Sequence, residues 1–150
     1  GLALFRRKGL EVEMLLLHMG GPFWAKKDDG AWSIPKGLTE ESEDPLAAAR
    51  REFQEETGGA PPADAIELGS FKQPGGKVII AFAAEGDFDL RNFRSNMFEM
   101  EWPPKSGKLA EFPEADRAAW FAPAEALRKV TKGQVAVVQA LMKKLGVAGS

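Results

Sequence analysis

The stretch from Asp44 to Gly59 constrains this chain more than any other part of it. Asp44 offers a carboxylate as helix N-cap, and Pro45 suits the first helical position. Gly58-Gly59 supplies the stop. Between these signals, Leu46, Ala49 and Phe53 recur at helical spacing and predict a stripe buried on a core. Glu52 shares a face with Glu55 and Glu56, three and four residues on, and Ala48 one turn earlier leaves that face sterically open. A solvated face is the ordinary reading of such a charge run. Here three rules are broken. The acids occupy the last turns, where the helix dipole disfavours anions. Arg50 and Arg51 precede them in the less favourable order, and no cation follows until Lys72. Carboxylates about 5 Å apart repel by roughly 3 kcal/mol per pair at an effective dielectric near 20. A bound divalent cation reverses the sign of that penalty, and a local rule broken this way often marks a functional site.

Composition narrows which cation. The chain has no cysteine and one histidine, which excludes disulfides, thiolate zinc sites, a cysteine nucleophile and an all-histidine metal centre. Any metal is held mostly by oxygen, which favours Mg²⁺ or Mn²⁺. The 150 residues make about one domain, read here as a single unit over 1–150. The 44% hydrophobic and 28% charged fractions are those of a globular chain. Twenty Lys and Arg against 22 Asp and Glu leave a net charge of -2, from which no DNA binding is expected. No apolar run has the length of a membrane span, and the five residues before Arg6 are too few for a signal core. The chain begins at Gly, and the expected location is the cytoplasm.

Strands are predicted over 3–7 and 12–19, joined at Lys8-Gly9, and over 32–34 after a Gly-rich loop. Leu15-Leu16-Leu17 has no alternation, as in a strand covered on both faces. A hairpin is expected over 66–73 and 77–84 around Pro74-Gly75-Gly76, with further strands over 97–102 and 119–121. A short helix follows over 123–130. Val135, Val138, Leu141, Met142 and Leu145 then mark one face of a final helix stopped by Gly146. Interleaved strands and helices predict a mixed α/β layer structure.

The spacing Gly37, five residues, Glu43, seven residues, Arg51-Glu52-Phe53-Gln54-Glu55-Glu56-Thr57-Gly58 resembles the Nudix box, G-x5-E-x7-R-E-U-x-E-E-x-G-U. A chance match is on the order of 10⁻⁸ per starting position. Gly59 stands where the last hydrophobic residue is usual. The resemblance implies an α/β/α sandwich with a mixed sheet and a catalytic loop–helix–loop. It implies hydrolysis of a phosphoanhydride in a nucleoside diphosphate linked to another moiety, with Mg²⁺ or Mn²⁺ as cofactor and a nucleotide-derived small molecule as partner. Glu52, Glu55 and Glu56 would be the metal carboxylates, with the Gly37 carbonyl an extra ligand, and Arg51 would pair with Glu43. The isoprenoid isomerases of this fold need a catalytic cysteine, which this chain lacks.

A further carboxylate from a later loop often serves this family as base or extra ligand. Glu111, Glu114 and Asp116 are the candidates, with Glu114 preferred and a solvated loop acid the alternative. Lys36 in Pro35-Lys36-Gly37 would reach a substrate phosphate or else face solvent. Pro35-Lys36-Gly37 resembles diadenosine-polyphosphate hydrolases of the family, and dinucleoside polyphosphates lead the substrate guess. A tyrosine beyond the box is one fingerprint of that group, and this chain has none. ADP-ribose hydrolases carry a proline near the place of Pro74, which a hairpin turn also explains. ADP-sugars and oxidised nucleoside triphosphates follow, and a non-catalytic nucleotide-sensing module is the other class. Phe23 and Trp24 either stack on a base or anchor their loop. Lys26 and Lys27 either attract a polyanion or are solvated. His18 is read as a structural histidine.

Overall fold

In the computed structural model, residues 1–36 and 43–147 are described. Leu2–Lys8 (β1) and Glu11–Met19 (β2) pair antiparallel, and Trp32–Ser33 (β3) adds to β2. Pro45–Thr57 forms α1. Ile66–Lys72 (β4) and Val78–Glu85 (β5) make the hairpin, and β5 lies parallel to β1. Met97–Glu101 (β6) and Leu109–Pro113 (β7) form a separate two-stranded ribbon. Ala115–Phe121 (β8) returns to pair with β2. Pro123–Lys129 (α2) and Val135–Leu145 (α3) close the chain. The main sheet runs β3-β2-β1-β5-β4 with β8 also on β2.

Both faces of the sheet are covered. Phe5, Met14, Leu16 and Trp32 pack on one side against Val137, Val138, Leu141 and Met142 of α3. Leu2, Leu4, Leu15 and Phe82 pack on the other side against Ala49 and Phe53 of α1. Successive residues of β2 therefore serve opposite cores, which explains its unbroken Leu15-Leu16-Leu17 run. This is the expected α/β/α sandwich with a mixed sheet.

Two strands differ from expectation. β8 begins at Ala115 rather than Ala119, because Arg117 and Ala115 still pair with His18 and Met19 of β2, across a register shift at Asp116. β7 carries no clear strand signal in the sequence; it has one partner and two of its five residues face solvent, so its apolar pattern is thin. No helix among the described residues is long and apolar enough to cross a membrane.

Candidate active site

The helix that carries the acidic run is built as its ends dictate. Asp44 accepts a hydrogen bond from Ala47 N at 3.0 Å, and Gly58 closes the helix at φ 81° with its N–H on the Gln54 carbonyl. A Cβ at Gly58 would stand 2.8 Å from Arg94 Cβ, so glycine answers both a conformational and a spatial need.

The acidic face is not open, however. Ala48 and Glu52 are both buried, Glu52 to 2% exposure, because seating Ala49 and Phe53 on the sheet draws in the neighbouring line of the helix. The three glutamates separate into different surroundings. Glu55 is exposed and receives Arg51 Nη1 at 3.1 and 3.2 Å, so the unfavourable sequence order still yields an ion pair. Arg51 also forks onto Glu43, with Nε and Nη2 each 2.8 Å from a carboxylate oxygen. Those bonds, to Glu43 first and then Glu55, hold the guanidinium above its ordinary pKa.

Glu56 is the perturbed group. Its Oε2 accepts the Lys36 N–H at 3.0 Å. Burial, with the charges of Glu114 and Glu52 adding, pushes its carboxyl up to about 7 against the pull of Lys36. Glu56 opens on a cavity of about 830 Å³ that Glu55, Glu114, Lys36 and Trp24 also line. The structure thus brings together, from α1, the β3 exit, the β2–β3 loop and the β7–β8 turn, residues far apart in the chain.

Glu114 is held from both sides by its backbone. Its N–H donates to Asn96 O at 2.7 Å, and its carbonyl accepts from Gly20 N at 3.0 Å. A Cβ at Gly20 would lie 1.9 Å from Pro113 O, so this approach needs glycine. Ser95 Oγ accepts from Ala115 N at 3.0 Å. Asn96 N and Arg94 N reach the Glu55 and Thr57 carbonyls at 3.1 and 2.8 Å, which ties this segment to the end of α1. Of the other two acids, Glu111 is exposed on β7 opposite Glu99, and Asp116 is engaged by His18 at 2.7 Å.

Phe23 and Trp24 divide the two roles considered for them. Phe23 stacks edge-on against Trp102 at 5.4 Å, while Trp24 lines the cavity with Lys27 Nζ 5.2 Å from its ring centre. Lys26 is exposed. Pro74 proves to line the cavity as well as turn the hairpin, and it brings Gln73 and Lys77 with it. These last two, and Asn96, had no local sequence signal. Gly37 lies outside the described residues.

No three His, Asp or Glu residues among those described are arranged as a group that could hold a metal ion. The donor chemistry nevertheless fits a hard divalent cation. Glu56 is a half-buried oxygen donor pressed by two like charges, the condition such an ion relieves. Glu55 would join only by turning from Arg51.

The sequence profile of the NUDIX domain matches residues 1–141. None of the curated proteins matches the chain in sequence. Among solved structures, a Caenorhabditis elegans Ap4A hydrolase binary complex is similar with a TM-score of 0.66 and 17% identity, over 97% of this chain and 96% of that one. The NUDIX domain of Shewanella oneidensis NrtR complexed with ADP ribose has a TM-score of 0.63 at 16% identity, over 96% and 84%. NrtR complexed with a 27mer DNA gives 0.59 at 17%, over 96% and 59%. That last complex corrects the expectation of no DNA binding. Net charge sums over a whole surface and does not report how basic groups are distributed, so it does not exclude a nucleic-acid partner for a chain of this fold. With the box on α1, the sandwich around it and the profile match over nearly its whole length, the chain belongs to the NUDIX domain family.

Proposed function

We infer that this protein hydrolyses a phosphoanhydride bond in a nucleotide joined to a second moiety, with Mg²⁺ or Mn²⁺ as cofactor. The observation that carries the reading is Glu56, a half-buried carboxyl pushed up to about 7 beside Glu52 and Glu114 at the wall of a cavity of about 830 Å³. Glu52, Glu55 and Glu56 would hold the ion, with the Gly37 carbonyl in addition. Bound there, it would neutralise phosphate oxygens and acidify a water. The remaining work falls to the chain's own groups. Glu114 accepts the proton of the attacking water. Lys36 holds a phosphate oxygen by charge while its backbone N–H keeps Glu56 oriented. Arg51, forked onto Glu43, fixes the box loop on the helix. Trp24 offers a face for a nucleobase.

Dinucleoside polyphosphates are the leading substrate, supported by Lys36 at the cavity wall and by the likeness to an Ap4A hydrolase. ADP-ribose is the second reading, favoured by Pro74 on the same wall. A panel of both, with nucleoside triphosphates, Mg²⁺ and mass-spectrometric products, separates them. Faster turnover of diadenosine polyphosphate is expected. Faster turnover of ADP-ribose transfers the assignment to it. Absence of turnover across the panel, with nucleotide still bound, means a sensing module.

A further inference from the structure

His18 is the only histidine of the chain and is fully buried at the end of β2. Both ring nitrogens face acceptors. Nδ1 lies 2.7 Å from Asp116 Oδ1, and Nε2 lies 2.6 Å from the Lys27 carbonyl. A carbonyl oxygen only accepts, and so does an ionised carboxylate, so the two bonds together require an N–H on each nitrogen. A neutral imidazole has one. Asp116 is 31% exposed, and Arg117 Nε stands 3.7 Å from the same oxygen, surroundings that suit the ionised carboxylate. The other charges nearby are Lys27 and Asp28 in the loop and Lys129 of α2, which reaches Asp28 at 2.5 Å. From β3 the ring meets Trp32 edge-on at 5.1 Å, and Glu114 borders the same cavity.

The Nε2 bond reaches the turn that carries Trp24. Lys27 N closes that turn on the Trp24 carbonyl at 3.0 Å, and the Lys27 carbonyl then docks on His18. The loop's ends are tied separately, by Met19 N to Ala31 O and by Gly30 N to Arg128 O.

We propose that His18 is a positioning residue held as an imidazolium, whose charge-assisted bonds to Asp116 and the Lys27 carbonyl seat the Trp24–Lys27 turn on the cavity. Its effect on catalysis rests on the hydrolase reading above; its effect on the loop does not. Loss of either bond releases the turn, and substrate then binds less well.

A single histidine makes ring-nitrogen NMR unambiguous. In the substrate-free protein at neutral pH, both nitrogens are expected to carry protons, and the Lys27 amide is expected to be protected from exchange. Asp116→Asn removes the partner charge, so protection of the Lys27 amide is expected to fall. In the same variant KM rises about tenfold, as for loss of one charged hydrogen bond, while kcat stays within about twofold. A merely space-filling histidine would move none of these. A singly protonated ring at neutral pH overturns the proposal, and so does Lys27 protection in Asp116→Asn equal to that of the wild type. Equal KM for Asp116→Asn and wild type, with the NMR outcome as expected, overturns the link to substrate. No turnover by either protein counts against the hydrolase reading alone.

Discussion

Glu56 shows how strongly one residue's chemistry depends on its packing. A carboxyl whose folded pKa of about 7 exceeds its ordinary 4.5 binds its proton more tightly in the folded state. Its ionisation costs the metal-free fold nothing below the unfolded pKa. The cost grows as pH rises through the interval and reaches about 3 kcal/mol above about pH 7. Glu56→Gln, which keeps an acceptor for the Lys36 N–H, should stabilise the metal-free protein by about 1–3 kcal/mol at about pH 8 and change little at about pH 5. Urea unfolding with a chelator present measures both. The same variant should lose metal-dependent hydrolysis by about 100-fold or more while staying folded. Near-normal turnover would mean that Glu56 holds no metal. The helix run announces this residue as acidic and misplaced, yet burial sets the direction of its perturbation, with Glu114 adding and Lys36 opposing, and no helical spacing reports any of these.

For α1 the expectation and the structure agree at the ends and differ along the face. Asp44→Ala removes a formed N-cap and should cost about 1 kcal/mol in unfolding free energy. Gly58→Ala should cost about 1–2 kcal/mol, since φ is 81° and Arg94 Cβ blocks the space. An unchanged denaturation midpoint in either variant would contradict the corresponding cap. These signals were legible because they act within a few residues of themselves. Which glutamate would be buried was not. Residues three and four apart share a face only approximately, and the sheet took Glu52 into the interior while leaving Glu55 outside with Arg51.

The whole molecule couples the metal to the fold. A cation that binds the folded chain stabilises it by mass action, and protons compete for the same carboxylates. Millimolar Mg²⁺ or Mn²⁺ should therefore raise Tm by about 5 °C at about pH 8 and by less at about pH 6. A shift independent of pH would place the ion on carboxylates other than Glu56. What the sequence by itself determined was everything carried by short range: the helix and its caps, the both-faces burial of β2, the mostly oxygen donors open to any metal, and the family motif. Helical and strand periodicity are local geometry, so a string of residues contains them. The tertiary structure decided which acids meet. Glu114 reaches Glu56 only because β8 pairs with β2 and the 94–96 segment spans from α1 to that turn. His18 finds Asp116 by the same pairing, at a separation of 98 residues. Contacts of that kind arise from how the layers pack, and burial then shifts the carboxyl of Glu56, an effect no spacing along the chain encodes.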